Sequence, residues 1–245
     1  MRVVFGWIGR LALVAIGTVL LLQLYYFACI GWYSRFDPSI TAFMRSHMGV
    51  LRAKNPDAKL EQQWVPYSRI SDHLKRAVIT AEDARFAEHE GVDWDAVAKA
   101  YENNEKVATN AATNASRGKR QRARIKGGST ITQQLAKNLF LSGERSYLRK
   151  GQELVIAYML EFWMSKQRIL EIYLNVIEWG NGVFGAEAAA RHYFGVSAAQ
   201  LSAAQAAQLA VMLPNPRFYD AHRGSGYLAR RSAAISRWMG DAEMP

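Results

Sequence analysis

One cysteine, Cys29, is all the chain contains, so no internal disulfide framework can hold it together. Acidic residues are in deficit: 21 Asp and Glu stand against 31 Lys and Arg, a formal net charge of +10. That balance favours an anionic partner, whether nucleic acid, anionic lipid or a phosphorylated substrate. No strand-like alternation and no fixed-period repeat is visible, which argues against an all-β or solenoid fold. Half of the 245 residues are apolar, yet 21% are charged, close to the ordinary share for a water-soluble domain. A multi-span membrane protein is thereby excluded, and the length suits one medium domain with an appendage.

What is present begins with an uncharged run, Leu11 to Ser34. As a helix it would extend about 36 Å, enough to cross a hydrocarbon layer of roughly 30 Å. Arg2 and Arg10 precede it, and Tyr25, Tyr26, Trp32 and Tyr33 gather toward its far end. It is longer than a signal-peptide core and ends in aromatics rather than small residues, so a retained single-pass anchor with a cytoplasmic N-terminus is expected. Residues 36–70 read as a juxtamembrane stretch with short helices, one of them around Ile40–Arg52. The catalytic-domain candidate is 71–245. Within it, Asn103–Lys126 reads as a mobile loop whose basic run, Arg117 to Lys126, could meet anionic headgroups. That run lacks interleaved aromatics for base stacking, so a nucleic-acid partner is not expected.

Helical signals dominate elsewhere. Ser71 caps a stripe of Leu74, Val78 and Ala81; Asp93 caps a helix through Val97 and Ala100; Ser129 caps Ile131, Leu135 and Leu139. Ser146 and Ser165 open two more helices, the second burying Ile169, Leu170, Tyr173 and Leu174. Asn181-Gly182 marks a turn, and Gly185 starts an alanine-rich helix ending at Phe194. Capping boxes at Ser197/Gln200 and Ser202/Gln205 precede a stop at Leu213-Pro214-Asn215-Pro216, and a last helix covers about Tyr227–Met239. The fold class is mostly α.

Two stretches carry chemistry. In Glu82–Gly91 (EDARFAEHEG), Glu82 follows Val78 by four residues and so lies on the apolar stripe, where desolvation raises a carboxylate toward proton-transfer duty. The plain alternative is a helix-end Glu paired with Arg85. In Gly127–Leu139, a glycine pair permits close backbone approach, and Thr130, Gln134 and Lys137 recur at i, i+4 and i+7 on one helix face. Such a face offers donors and a positive charge to a phosphate or pyrophosphate. It is no Walker loop, because no Lys follows the glycines at the required place and no strand precedes them.

Taken as EDARFAEHEG (Glu82–Gly91) and GGSTITQQLAKNLFL (Gly127–Leu141), and together with RKGQE (Arg149–Glu153) and KQRILEIYLN (Lys166–Asn175), these blocks resemble the ordered motifs of the family 51 glycosyltransferases, the peptidoglycan polymerases with a lysozyme-like fold. The resemblance spans about Glu82 to Pro216. Nothing resembles a transpeptidase domain: there is no K-T-G, and the one S-x-x-K match, Ser116 to Lys119, lies in the basic stretch. The pattern is that of the monofunctional biosynthetic members. Lys126 stands where many relatives would carry Gln.

The resemblance implies lipid II and a lipid-linked glycan as substrates, a bacterial inner-membrane location with the catalytic domain in the periplasm, and cell-wall synthesis or division proteins as partners. It implies that Glu82 deprotonates the acceptor hydroxyl, and that Glu153 helps hold the donor pyrophosphate. Lys137, Arg145 and Lys150 surround those phosphates; Asp83, Phe86, His89, Ser129, Thr130, Gln133, Gln134, Arg149 and Asn175 complete the substrate site. No cofactor is required, while a divalent cation (Mg2+ or Mn2+) at Glu153 stays open. A muramidase or lytic transglycosylase would also use one Glu in an α-rich lobe but would need no basic face; an anchored division scaffold would need neither.

Overall fold

A computed structural model describes residues 2–116, 128–141 and 146–245 of the chain. The chain runs through α1 (Arg2–Tyr33), α2 (Ala42–Lys54), β1 (Glu61–Gln62), α3 (Asp72–Glu82), α4 (Trp94–Ser116), α5 (Ile131–Phe140), α6 (Tyr147–Trp163) and α7 (Lys166–Val176). It continues with β2 (Glu178–Gly180), β3 (Val183–Phe184), α8 (Ala186–Phe194), α9 (Ala203–Met212), α10 (Pro216–Ala221) and α11 (Gly226–Trp238). The architecture is mostly α, as the periodicity predicts.

Short polar side chains start the helices. Thr41, Ser71, Asp93, Thr130, Ser146, Ser165, Ser202 and Ser225 each accept a backbone N–H that the first turn leaves without a partner. Thr130, not the expected Ser129, caps α5. Its hydroxyl also donates to the Gly91 carbonyl at 2.6 Å, a tie to a distant turn that Ser129 does not make. Both expected capping boxes, at Ser197 and Ser202, are formed.

The anticipated stripes converge on one core. Leu74 and Val78 of α3, Ile131 and Leu135 of α5, Ile156 and Leu160 of α6, and Ile169, Leu170, Tyr173 and Leu174 of α7 are fully enclosed. Segment 36–70 joins the same core: Met44 of α2 is fully buried, Val65 nearly so, and β1 pairs parallel with β3. β3 in turn pairs antiparallel with β2 across the Asn181-Gly182 turn, where Gly182 takes φ +86°. These strands are too short for alternation to show in the sequence.

One expectation is corrected. Residues 103–116 are not loop but the second half of α4, with Thr109 Oγ1 donating to the Glu105 carbonyl. Alanines spaced among Asn and Thr supply enough helix propensity to carry the element on. The basic run Arg117–Lys126, Gly127 and Arg145 lie outside the described residues.

Gly9–Tyr33 of α1 is long and apolar enough to cross a membrane, and 6% of its most apolar window is buried. Its last turns nevertheless dock on the domain. Ile30 is fully enclosed, Phe27 meets Phe162 and Trp163 of α6 at 5.7 and 5.1 Å between ring centres, and Tyr26 meets Phe140 at 5.2 Å. Gln23 and Gln152 exchange a reciprocal pair of side-chain amide hydrogen bonds of 2.7 and 2.9 Å.

Candidate active site

Glu82 is the last residue of α3, half-buried where the apolar stripe meets α5. Its Oε2 accepts the Gln134 Nε2 at 2.7 Å, and Gln134 Oε1 in turn accepts the hydroxyl of Tyr173 on α7 at 3.0 Å. Burial pushes the Glu82 carboxyl above the usual range, and the neighbouring Asp83 charge pushes the same way. The Gln134 hydrogen bond and the charges of Lys137 and Arg231 oppose that rise without cancelling it. Arg85 is not its partner. That guanidinium pairs with Asp93 and, at 3.0 Å, with Asp95.

Asp83 is enclosed and has a different task. One of its oxygens accepts the Ile131 N–H at 3.0 Å, and both lie 3.0–3.1 Å from His89 Nε2. An anion at a helix N-terminus is favourably placed, so this carboxylate locks α5 to the end of α3. Phe86 is fully buried beneath the Lys166 ammonium, 4.7 Å from its ring centre, and His89 stands edge-on to it. Thr130 and Gln133 are likewise buried, spent on the capping box. Gly128 packs against α4, where a Cβ would approach Val97 Cα to 3.2 Å. Its small size therefore serves helix packing rather than ligand approach.

The basic wall is built from α5 and α6. Glu153 is 3% exposed, and its two oxygens are taken by Arg149 Nη1 at 2.7 Å and by Lys150 Nζ. Lys150 Nζ also donates to Ser129 Oγ at 2.9 Å. Lys137 sits within the fields of both carboxylates. Burial lowers its ammonium below the usual range, Arg149 and Lys150 lower it further, and Glu153 and Glu82 hold it up. Among the described residues there is no group of three His, Cys, Asp or Glu side chains disposed to hold a metal. Both Glu153 oxygens are engaged by cations.

Asn175 departs from the binding role expected of it. It is fully buried, its Oδ1 accepts the Val65 N–H and its Nδ2 donates to the Val65 carbonyl, each at 2.9 Å. It straps the 36–70 segment to α7 and keeps no group for a ligand. Glu82, Gln134, Lys137, Lys150 and Glu153 come together; Asp83, Phe86, His89, Thr130 and Gln133 form the frame behind them. Tyr173 and Arg231 were not singled out by the sequence. An apolar stripe hides the polar tip of a tyrosine, and nothing local marks an arginine on the last helix.

A half-buried acid at the end of α3 thus lies beside a basic wall, on helices tied together at their ends. A family model described as transglycosylase matches residues 49–240, and the chain belongs to that family. With it goes the mostly α, lysozyme-like fold that the resemblance implies; among the described residues one helix, at the N-terminus, is long and apolar enough to cross a membrane. The chain is 63% identical over 235 residues to a biosynthetic peptidoglycan transglycosylase of Herminiimonas arsenicoxydans, covering 96% of each chain. It is 58% identical to that of Bordetella pertussis over 92% of this chain and 89% of the relative, and 54% identical to that of Thiobacillus denitrificans over the full length of both.

Proposed function

We propose that the protein is a peptidoglycan glycosyltransferase that polymerises lipid II into β-1,4-linked glycan strands from an inner-membrane anchor, with its catalytic domain in the periplasm. Glu82 removes the proton from the 4-hydroxyl of the acceptor sugar as that oxygen attacks the anomeric carbon of the lipid-linked donor. The new C–O bond forms as the bond to the donor phosphate breaks, and the electron pair leaves with undecaprenyl pyrophosphate. A single displacement turns the α-linked donor into a β-linked product, and no glycosyl–enzyme intermediate is needed. Lys137, Lys150 and Arg145 stabilise the departing pyrophosphate, with Glu153 holding Arg149 and Lys150 in place.

What supports this reading is the Glu82 carboxylate, half-buried at the end of α3 and hydrogen-bonded at 2.7 Å to Gln134 of α5, the helix that carries Lys137 one turn further on. A hydrolase would use the acid but has no pyrophosphate to neutralise. The test is the full chain in detergent with lipid II and a divalent ion, read as polymer on a gel. Wild type should build long strands and Glu82→Gln should lose roughly 10²–10⁴ of the rate. Polymerisation by Glu82→Gln at a near-wild-type rate, or release of muropeptides from purified peptidoglycan by the wild type, overturns the proposal.

A further inference from the structure

Tyr173 is fully enclosed, and its hydroxyl makes one hydrogen bond among the described residues, to Gln134 Oε1. A buried hydroxyl with one partner satisfies its proton only by donating. That fixes the primary amide: Oε1 is turned to the tyrosine, and the NH2 end is turned to Glu82 Oε2 at 2.7 Å. In the reverse orientation two oxygens would face each other across that distance, and the Tyr173 proton would be stranded in the core.

From this geometry we infer that Tyr173 is a positioning residue, which sets the amide orientation of Gln134 and through it keeps Glu82 available as a carboxylate aimed at the acceptor. The inference rests on the role proposed for Glu82. The groups facing Glu82 are Asp83 beside it, Gln134 and Lys137 on α5, Tyr173 on α7 and Arg231 on α11. The charged ones act through space and have no stake in the amide. Tyr173 itself stays protonated: burial, with the Glu82 and Asp83 charges adding to it, holds its hydroxyl well above the usual phenol range. It is a permanent donor.

Removing the hydroxyl frees the amide to turn. Where the amide turns, Glu82 loses the Gln134 hydrogen bond that opposes its desolvation, and its titration moves to higher pH. The experiment uses the detergent-solubilised full chain with 13C-labelled glutamate side chains, Glu82→Gln identifying the Glu82 resonance. In Tyr173→Phe the Glu82 titration and the acidic limb of the pH–rate profile both move upward, so turnover falls roughly three- to tenfold near pH 6 and far less near pH 8.5, tenfold being the effect of one pH unit. Gln134→Met gives the same displacement, and adding Tyr173→Phe to it gives nothing more, because the two act as one unit.

A 3-fluorotyrosine at position 173 preserves the packing while strengthening the donor, and it moves the Glu82 titration downward. If the Glu82 resonance titrates as in wild type in both the phenylalanine and fluorotyrosine proteins, or if Tyr173→Phe loses activity equally at every pH, Tyr173 is core filling and the inference is overturned. A wild type that makes no polymer sinks the proposed reaction instead and leaves the titration comparison standing.

Discussion

Replacing Glu82 by Gln should make the protein more stable while abolishing its activity. In the folded chain the carboxyl lies above its ordinary range because burial outweighs the Gln134 bond and the Lys137 and Arg231 charges. A group raised in this way contributes its full stability only below its unfolded value, and that contribution is lost as pH rises through the folded value. At neutral pH and above the wild type thus carries a carboxylate in a place that resists charge; glutamine does not. The gain is limited, because Gln134 already donates to the wild-type carboxylate at 2.7 Å and because removing the charge costs Lys137 one of the two acids supporting it. We expect about 1 kcal/mol, within the span of ordinary stabilising changes. For a chain of this size that is roughly 2–4 °C in Tm. Thermal unfolding of both proteins in one detergent, at one scan rate, from pH 4 to pH 9 checks it: the curves should meet at the acid end and separate as pH rises. A Glu82→Gln protein no more stable at pH 8, or equally more stable at every pH, would refute the reasoning.

Three further outcomes are expected. Gly180→Ala would set a Cβ 2.1 Å from the Tyr193 hydroxyl, which now donates to the Trp179 carbonyl, so unfolding should come about 1–3 kcal/mol sooner in a thermal or urea melt. Asn175→Leu keeps the volume but strips the Val65 N–H and carbonyl of their partner; about 2–5 kcal/mol should be lost, and protease sensitivity should appear first in residues 36–70. Arg217→Met removes the cation 2.7 Å from Glu178, whose carboxyl is already raised by burial. It should cost about 1–3 kcal/mol at pH 8 and little at pH 4, where Glu178 is protonated; His47, 3.6 Å away, softens the loss wherever it protonates.

The helix starts and buried faces were legible because a capping side chain and a 3.6-residue period are local properties. Glu82 belonged to that class: its distance from Val78 alone put it on the apolar side. What the sequence could not deliver was decided by distant chain. Ser129 is by itself the better cap of the two, and the tie from Thr130 to the Gly91 carbonyl overrides that preference. Asn175 looks like a ligand-binding polar residue until Val65 arrives to use it, 110 positions away in sequence. The glycine at 128 suggests close approach of the backbone to a ligand until α4 lies against it. Residues 103–116 mislead for another reason, since Asn and Thr suggest a loop where the intervening alanines sustain a helix.

Glu82 and Asp83 are adjacent in the chain, yet one takes a side-chain amide of α5 while the other is clamped to that helix's first N–H. The consequence is mechanical. Any rocking of α5 drags the end of α3 with it, so Glu82 and Lys137 travel as a single piece.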